Sequence, residues 1–123
     1  MNEQQTTLLL PIKRQWYDMI KSGVKLEEYR EIKWYYCPRL FKDKVQEWAF
    51  IRWGKRVVED YVTQYDDVFK HFDTVTLRNG YGKNAPTLVV ECLGITVGKG
   101  NPDWGAPEEQ VFIIKLGNIL KES

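Results

Sequence analysis

Thr6-Thr7-Leu8-Leu9-Leu10 is a short apolar run closed by Pro11, the pattern of a buried first strand. Ile12, Trp16, Met19 and Ile20 then recur at helical spacing, and Gly23 supplies a stop, so a helix and a glycine turn follow the strand. From Lys25 the period changes to two. In an extended chain Leu26, Glu28 and Arg30 share one face while Glu27 and Tyr29 take the other. Opposite charges two residues apart on one strand face can meet. Lys25 lies too close to the Gly23 turn for that alternation to set its direction. Residues 32–36, β-branched and aromatic, predict a continuation of the strand up to Cys37-Pro38.

Beyond it, Val45, Trp48, Ala49 and Trp53 predict one helix, and Val58, Tyr61, Tyr65, Val68 and Phe72 follow the 3-4-3-4 spacing of a second over residues 57–72. The pattern then returns to strands at 74–78, 87–97 and 111–116. The first two are separated by the turn-rich Asn79-Gly80-Tyr81-Gly82-Lys83-Asn84, and the last two by a loop over 98–107 that carries Trp104. Strands without regular β-α-β alternation, a helix near the start and helices inserted before the middle predict an α+β fold on a small curved sheet or barrel of about five to six strands. No repeat, linker or low-complexity segment interrupts the chain, so residues 1–123 are read as a single domain, the usual outcome at this length.

Composition narrows the function classes. At 43% hydrophobic and 28% charged residues the chain is an ordinary folded protein, not a disordered, collagen-like or coiled-coil one. No apolar run approaches the roughly 20 residues that span a bilayer, and Met1-Asn2-Glu3-Gln4-Gln5 lacks the basic start and apolar stretch of a signal peptide. A cytoplasmic protein with no membrane partner is the expectation. Cys37 and Cys92 stand alone, with only His71 as a further soft ligand, which predicts buried thiols without a disulfide or a metal site. No P-loop, dinucleotide fingerprint or EF-hand is present, and no cofactor is expected. His71 falls within the second predicted helix, where a lone histidine is structural.

The net charge of +1 conceals an uneven distribution: residues 13–58 carry 12 Lys or Arg against 6 acids, whereas residues 59–73 carry 5 acids against one Lys. Non-specific coating of long DNA calls for a larger excess of cations. A short single strand or one nucleotide, held by a few basic groups and by stacking, fits both the charge and the 5 Trp, 7 Tyr and 5 Phe. These charges and rings also serve ordinary solvated faces and core packing.

Ser22-Gly23-Val24-Lys25-Leu26-Glu27-Glu28-Tyr29-Arg30 contains G-x-K-x-x-E-x-R at the junction of helix and strand. Gly permits the tight exit from the helix, Lys25 and Arg30 offer cationic donors, and Glu28 both orients Arg30 and accepts hydrogen bonds. Such a cluster holds a phosphate or the polar edge of a base. The alternative is a Glu28–Arg30 pair that staples the strand to its neighbour.

Leu10-Pro11-Ile12-Lys13, Trp16, Ile20, Ser22-Gly23-x-Lys25 and Glu28-Tyr29-Arg30 resemble the opening of an ASCH domain, of the PUA-like superfamily. The resemblance continues through residues 78–86 and 90–95, Trp104-Gly105-Ala106 and residues 112–117, in family order across nearly the whole chain. Residues 42–72 match poorly and look like a helical insertion, a candidate lid or protein-partner surface around Trp48, Trp53 and Tyr61. The resemblance implies a PUA-like β-barrel with a cleft beside G-x-K-x-x-E-x-R that takes RNA or a nucleotide. Lys25 and Arg30 would meet phosphate or a base edge and Glu28 would accept from a base amine. Arg78, which opens the resembling 78–86 block, joins the ligand-binding set, and Trp34, Tyr81 and Trp104 are candidates for stacking or for barrel packing.

Some small ASCH-like proteins are amidohydrolases that cleave N4-acylated cytidine, and the resemblance places their catalytic Lys at Lys25. A lysine desolvated in a cleft can serve as a base. Those enzymes carry a catalytic Thr three residues after the Lys, where this chain has Glu28, and Glu91 is the available further acid, unless it pairs with Arg or Lys across the sheet. Ribonuclease activity is suggested for other relatives, and Lys25, Glu28 and Arg30 could supply acid, base and phosphate clamp. The readings in play are a nucleotide-binding module, a small nucleoside hydrolase or ribonuclease, and a protein-interaction module.

Overall fold

The computed structural model describes residues 6–43 and 54–123; the helix expected around Val45–Trp53 lies outside them. The fold is α+β. Its strands are β1 (Thr7–Ile12), β2 (Glu27–Glu31), β3 (Thr74–Asn79), β4 (Thr87–Gly98) and β5 (Val111–Glu122), and its helices are α1 (Arg14–Lys21), α2 (Cys37–Leu40) and α3 (Lys55–Gln64). The strands form one sheet in the order β1-β3-β4-β5-β2. The chain divides into two compact units, the first made of Met1–Glu28, His71–Gly94 and Ile114–Ser123, the second of Tyr29–Lys70 and Ile95–Ile113. No helix among the described residues is long and apolar enough to cross a membrane.

In the first unit β1 runs parallel to β3, from Thr7 opposite Thr74 to Ile12 opposite Asn79, and β3 pairs antiparallel with β4. The alternation of β1 is strict: Leu8, Leu10 and Ile12 are buried while Thr7, Leu9 and Pro11 are exposed. The strand continues through Pro11 because β1 is a sheet edge, where a residue without an N–H leaves no ladder bond unmade. Ile12 therefore belongs to the strand, and α1 begins at Arg14. Tyr17 and Ile20 of α1, Val75 and Leu77 of β3, and Leu88 and Val90 of β4 complete the unit's interior. β5 outruns its predicted end at Leu116, because residues 118–122 are exposed and carry no apolar alternation. Its far end is held by Thr87 and Ser123, whose amides each donate to the other's carbonyl at 3.2 and 3.0 Å.

The second unit corrects two expectations. Residues 32–36 turn instead of extending: Tyr36 N–H donates to Lys33 and Cys37 N–H to Trp34, and α2 follows. Pro38 sits in the first helical turn, where its fixed φ fits and its missing N–H costs nothing. Cys37 and Leu40, three apart on α2, each end 1% exposed, and that burial outweighs the β-propensity of the aromatic run.

The helix expected over 57–72 ends at Gln64. Residues 64–67 offer nothing apolar beyond the exposed Tyr65, and Asp67 takes a left-handed φ of 52°. Val68 and Phe69 then run extended beside Leu40–Lys42, with Lys42 N–H donating to Val68 at 2.9 Å and Lys70 N–H to Leu40 at 2.7 Å. This places Phe69 against Phe41 (4.8 Å between centroids, 16° between planes), with Phe112 edge-on to both. His71 is consequently not helical; its carbonyl accepts from the Thr6 hydroxyl.

Candidate functional site

The turn that ends α1 decides where Lys25 goes. Ser22 N–H donates to Asp18 and Gly23 N–H to Ile20, with Gly23 at φ +84°, the left-handed position that favours glycine after a helix. The next two amides, Val24 and Lys25, both donate to the Met19 carbonyl, at 3.0 and 3.1 Å. The chain is thereby folded back over the last turn of α1, and Lys25 is driven inward to 1% exposure. Its Nζ stands 3.4 Å from Oε1 of Glu28, itself 4% exposed, and 5.2 Å from the centroid of the Trp16 ring.

Enclosing an ammonium and a carboxylate costs several kcal/mol of hydration per ion, repaid only by close geometry and further hydrogen bonds. A pair of apolar side chains would fill the same space without that cost, which makes the pair a candidate for a binding or catalytic role. It offers a donor and an acceptor side by side under an indole. The combination suits the polar edge of a base, or proton transfer by a lysine beside a carboxylate.

Glu28 forms an ion pair with Lys25, a pairing that strand alternation alone did not specify. Lys25 and Glu28 belong to the first unit, as do Arg78 and Tyr81. Arg78, half-buried on β3, donates from Nη2 to the Gly82 carbonyl and so holds the 80–85 turn. Tyr81, in that turn, is 86% exposed, which makes its ring a surface and not barrel packing. Glu91, weighed as a partner for a cation across the sheet, accepts the Asn118 N–H at 2.8 Å.

Arg30, Trp34 and Trp104 belong to the second unit. Arg30 Nη1 donates to the Tyr29 carbonyl at 2.7 Å. Trp34 is half-buried in the turn before α2. Trp104 closes a 3-10 turn, Pro102–Trp104, and packs on Tyr29, Ala106, Val111 and Ile113. The Tyr29 hydroxyl accepts the Asn101 N–H at 2.9 Å, and a Cβ on Gly100 would collide with the Tyr29 ring. Trp104 is thus part of a packed apolar cluster.

Trp16 reads from the sequence as one of four apolar positions at helical spacing and as part of the family resemblance, not as a site residue. The available signal was the Lys two residues past the terminating glycine, a spacing that returns the side chain to the last turn of the helix. A separate open cleft of about 560 Å³ in the first unit is lined by Arg14, Tyr17, Asp18, Lys21, Asn79, Pro86, Glu122 and Ser123, none of them a predicted site residue. Its cations are matched by carboxylates, Arg14 with Asp18 at 3.7 Å and Lys21 with Glu122 at 3.2 Å. Burial raises the Cys37 thiol to about 11, so it is protonated and unreactive at neutral pH; Cys92 is half-buried and also raised by desolvation. Among the described residues no group of three His, Cys, Asp or Glu gathers as metal ligands.

No protein-family model, curated protein or solved structure matches this chain.

Proposed function

We propose that this chain is an RNA- or nucleotide-binding module of the ASCH kind, a PUA-like barrel working in the cytoplasm, whose ligand is read at the G-x-K-x-x-E-x-R turn. The observation that carries the reading is the enclosed Lys25–Glu28 pair with Trp16 over the ammonium. Glu28 accepts from an exocyclic base amine and Lys25 donates to a ring nitrogen or carbonyl; Arg30, the last residue of the motif, is the phosphate contact that the ASCH resemblance implies. The exposed Tyr81 ring is available for stacking. Because Lys25 is 1% exposed, a ligand reaches it only with a local rearrangement, and binding should shift the amides around Lys25.

The hydrolase alternative uses the same atoms. The enclosed pair supplies a carboxylate that accepts a proton and an ammonium that donates one, and N4-acylcytidine would be the substrate. In the ribonuclease form, Arg30 clamps the phosphate.

Arg30→Ala separates a binding role from a structural one. A cooperative circular dichroism melt reads the structural part of the change separately from binding, and the variant should keep one. Binding of a short mixed RNA, measured by fluorescence anisotropy, should fall at least tenfold. Unchanged binding, or a collapsed fold in place of a binding defect, contradicts the role given to Arg30.

A further inference from the structure

The surface of the second unit carries a group of side chains that the turn at Lys25 does not use. Residues 33–40 form a tight turn and α2, anchored from within by Ile32, Cys37 and Leu40, each at most 4% exposed. On the outer side stands Tyr35, 55% exposed. The Arg39 guanidinium lies 3.8 Å from the centroid of that ring, and its Nη1 donates to the Tyr35 carbonyl at 2.6 Å, which fixes the cation on the ring. Tyr36 meets Tyr35 edge-on at 4.9 Å and 89°, and Lys33 Nζ lies 5.7 Å over the Tyr36 ring.

From this geometry we infer that Lys33, Tyr35, Tyr36 and Arg39 form a stacking platform for single-stranded RNA. The inference rests on the nucleotide-binding reading and extends it to a polymeric ligand with a second contact surface. Three features of the group point to this occupant. An aromatic ring more than half exposed contributes little to the fold, yet here it is rigidly presented from a buried anchor. A guanidinium stacked on tyrosine keeps its planar outer face and remaining donors for a base or a phosphate, which an ammonium does not provide. Residues 30–42 carry Arg30, Lys33, Arg39 and Lys42 against Glu31 alone, a cationic stretch in a chain of net charge +1. Lys42 is engaged with Asp67 at 2.6 Å. A duplex keeps its base faces stacked internally, so unpaired bases are what the platform takes.

The test is fluorescence anisotropy with a labelled mixed 12-nucleotide RNA, run on wild type, Tyr35→Leu, Arg39→Gln and Arg39→Lys, with circular dichroism melts of each. Tyr35→Leu and Arg39→Gln should each weaken binding about tenfold or more, and Arg39→Lys should recover only part of the loss because it restores charge without the plane. With Arg30, Lys33 and Arg39 as the phosphate contacts, the slope of log K against log salt should be near −2.1 and lose about a third of its magnitude in Arg39→Gln. The corresponding RNA duplex should bind at least tenfold more weakly than the single strand.

A parallel titration with cytidine monophosphate, read at the Lys25 and Glu28 amides, keeps the two proposals apart. RNA affinity unchanged in both Tyr35→Leu and Arg39→Gln, or equal affinity for duplex, overturns the platform and leaves the nucleotide site standing. Response to the mononucleotide without any RNA binding does the same. Failure of both ligands overturns both proposals.

Discussion

Replacing Lys25 by methionine keeps the bulk of the side chain but removes the ammonium from beside the enclosed Glu28 carboxylate. Loss of one partner of a buried ion pair costs about 3–5 kcal/mol, much of it the penalty of the charge left behind. Lys25→Met should therefore be strongly destabilised in urea unfolding, and Lys25→Met/Glu28→Leu should recover most of the loss while failing to bind nucleotide. A single variant within about 1 kcal/mol of wild type would mean that the pair is open to water. The residue types at this site were legible in the sequence, since Lys, Glu and Arg at that spacing already read as a ligand cluster. The pairing was not. Strand periodicity relates Glu28 to Arg30, but Lys25 precedes the strand, and its direction comes from two backbone bonds to Met19 that no side-chain pattern records. For Tyr81 the sequence leaves packing and stacking equally open, because its Gly-flanked turn is silent about burial.

Among the elements, the end of α1 matters most. Gly23 at φ +84° has no atom within 4 Å of where a Cβ would stand, so Gly23→Ala meets a conformational cost and no collision. That cost is about 1–2 kcal/mol. The larger consequence is local: a turn that relaxes to negative φ no longer returns the Lys25 amide to Met19. Gly23→Ala should thus lower the thermal midpoint by a few degrees and weaken nucleotide binding by more than that drop in stability accounts for, read by melts and anisotropy together. Binding that keeps pace with wild type would detach the turn from the site. Where sequence and structure part, at 32–36 and 65–72, local propensity and spacing compete with burial that is non-local. Phe69 reaches Phe41 and Phe112, partners distant in sequence, only if the helix stops at Gln64.

For the whole molecule, the α+β class and the five strands follow from alternation and turn residues, which are local. The parallel pairing of β1 with β3 and the placement of β2 beside β5 do not, because they join segments more than sixty residues apart. The near-neutral charge constrains function at the same scale. With a net charge of +1 the protein gains little from the field of a polyanion as a whole, so affinity has to come from placed contacts, stacking and an enclosed polar pair. The most direct test of that account is an amide NMR titration of labelled protein with a short mixed RNA and, separately, with N4-acetylcytidine, following protein shifts and ligand signals together. The account predicts shifts at Gly23, Val24, Lys25, Arg30 and Tyr81 with the ligand unchanged. Release of cytidine and acetate would make the site a hydrolase, and silence in both samples would contradict a nucleotide site at the Lys25 turn.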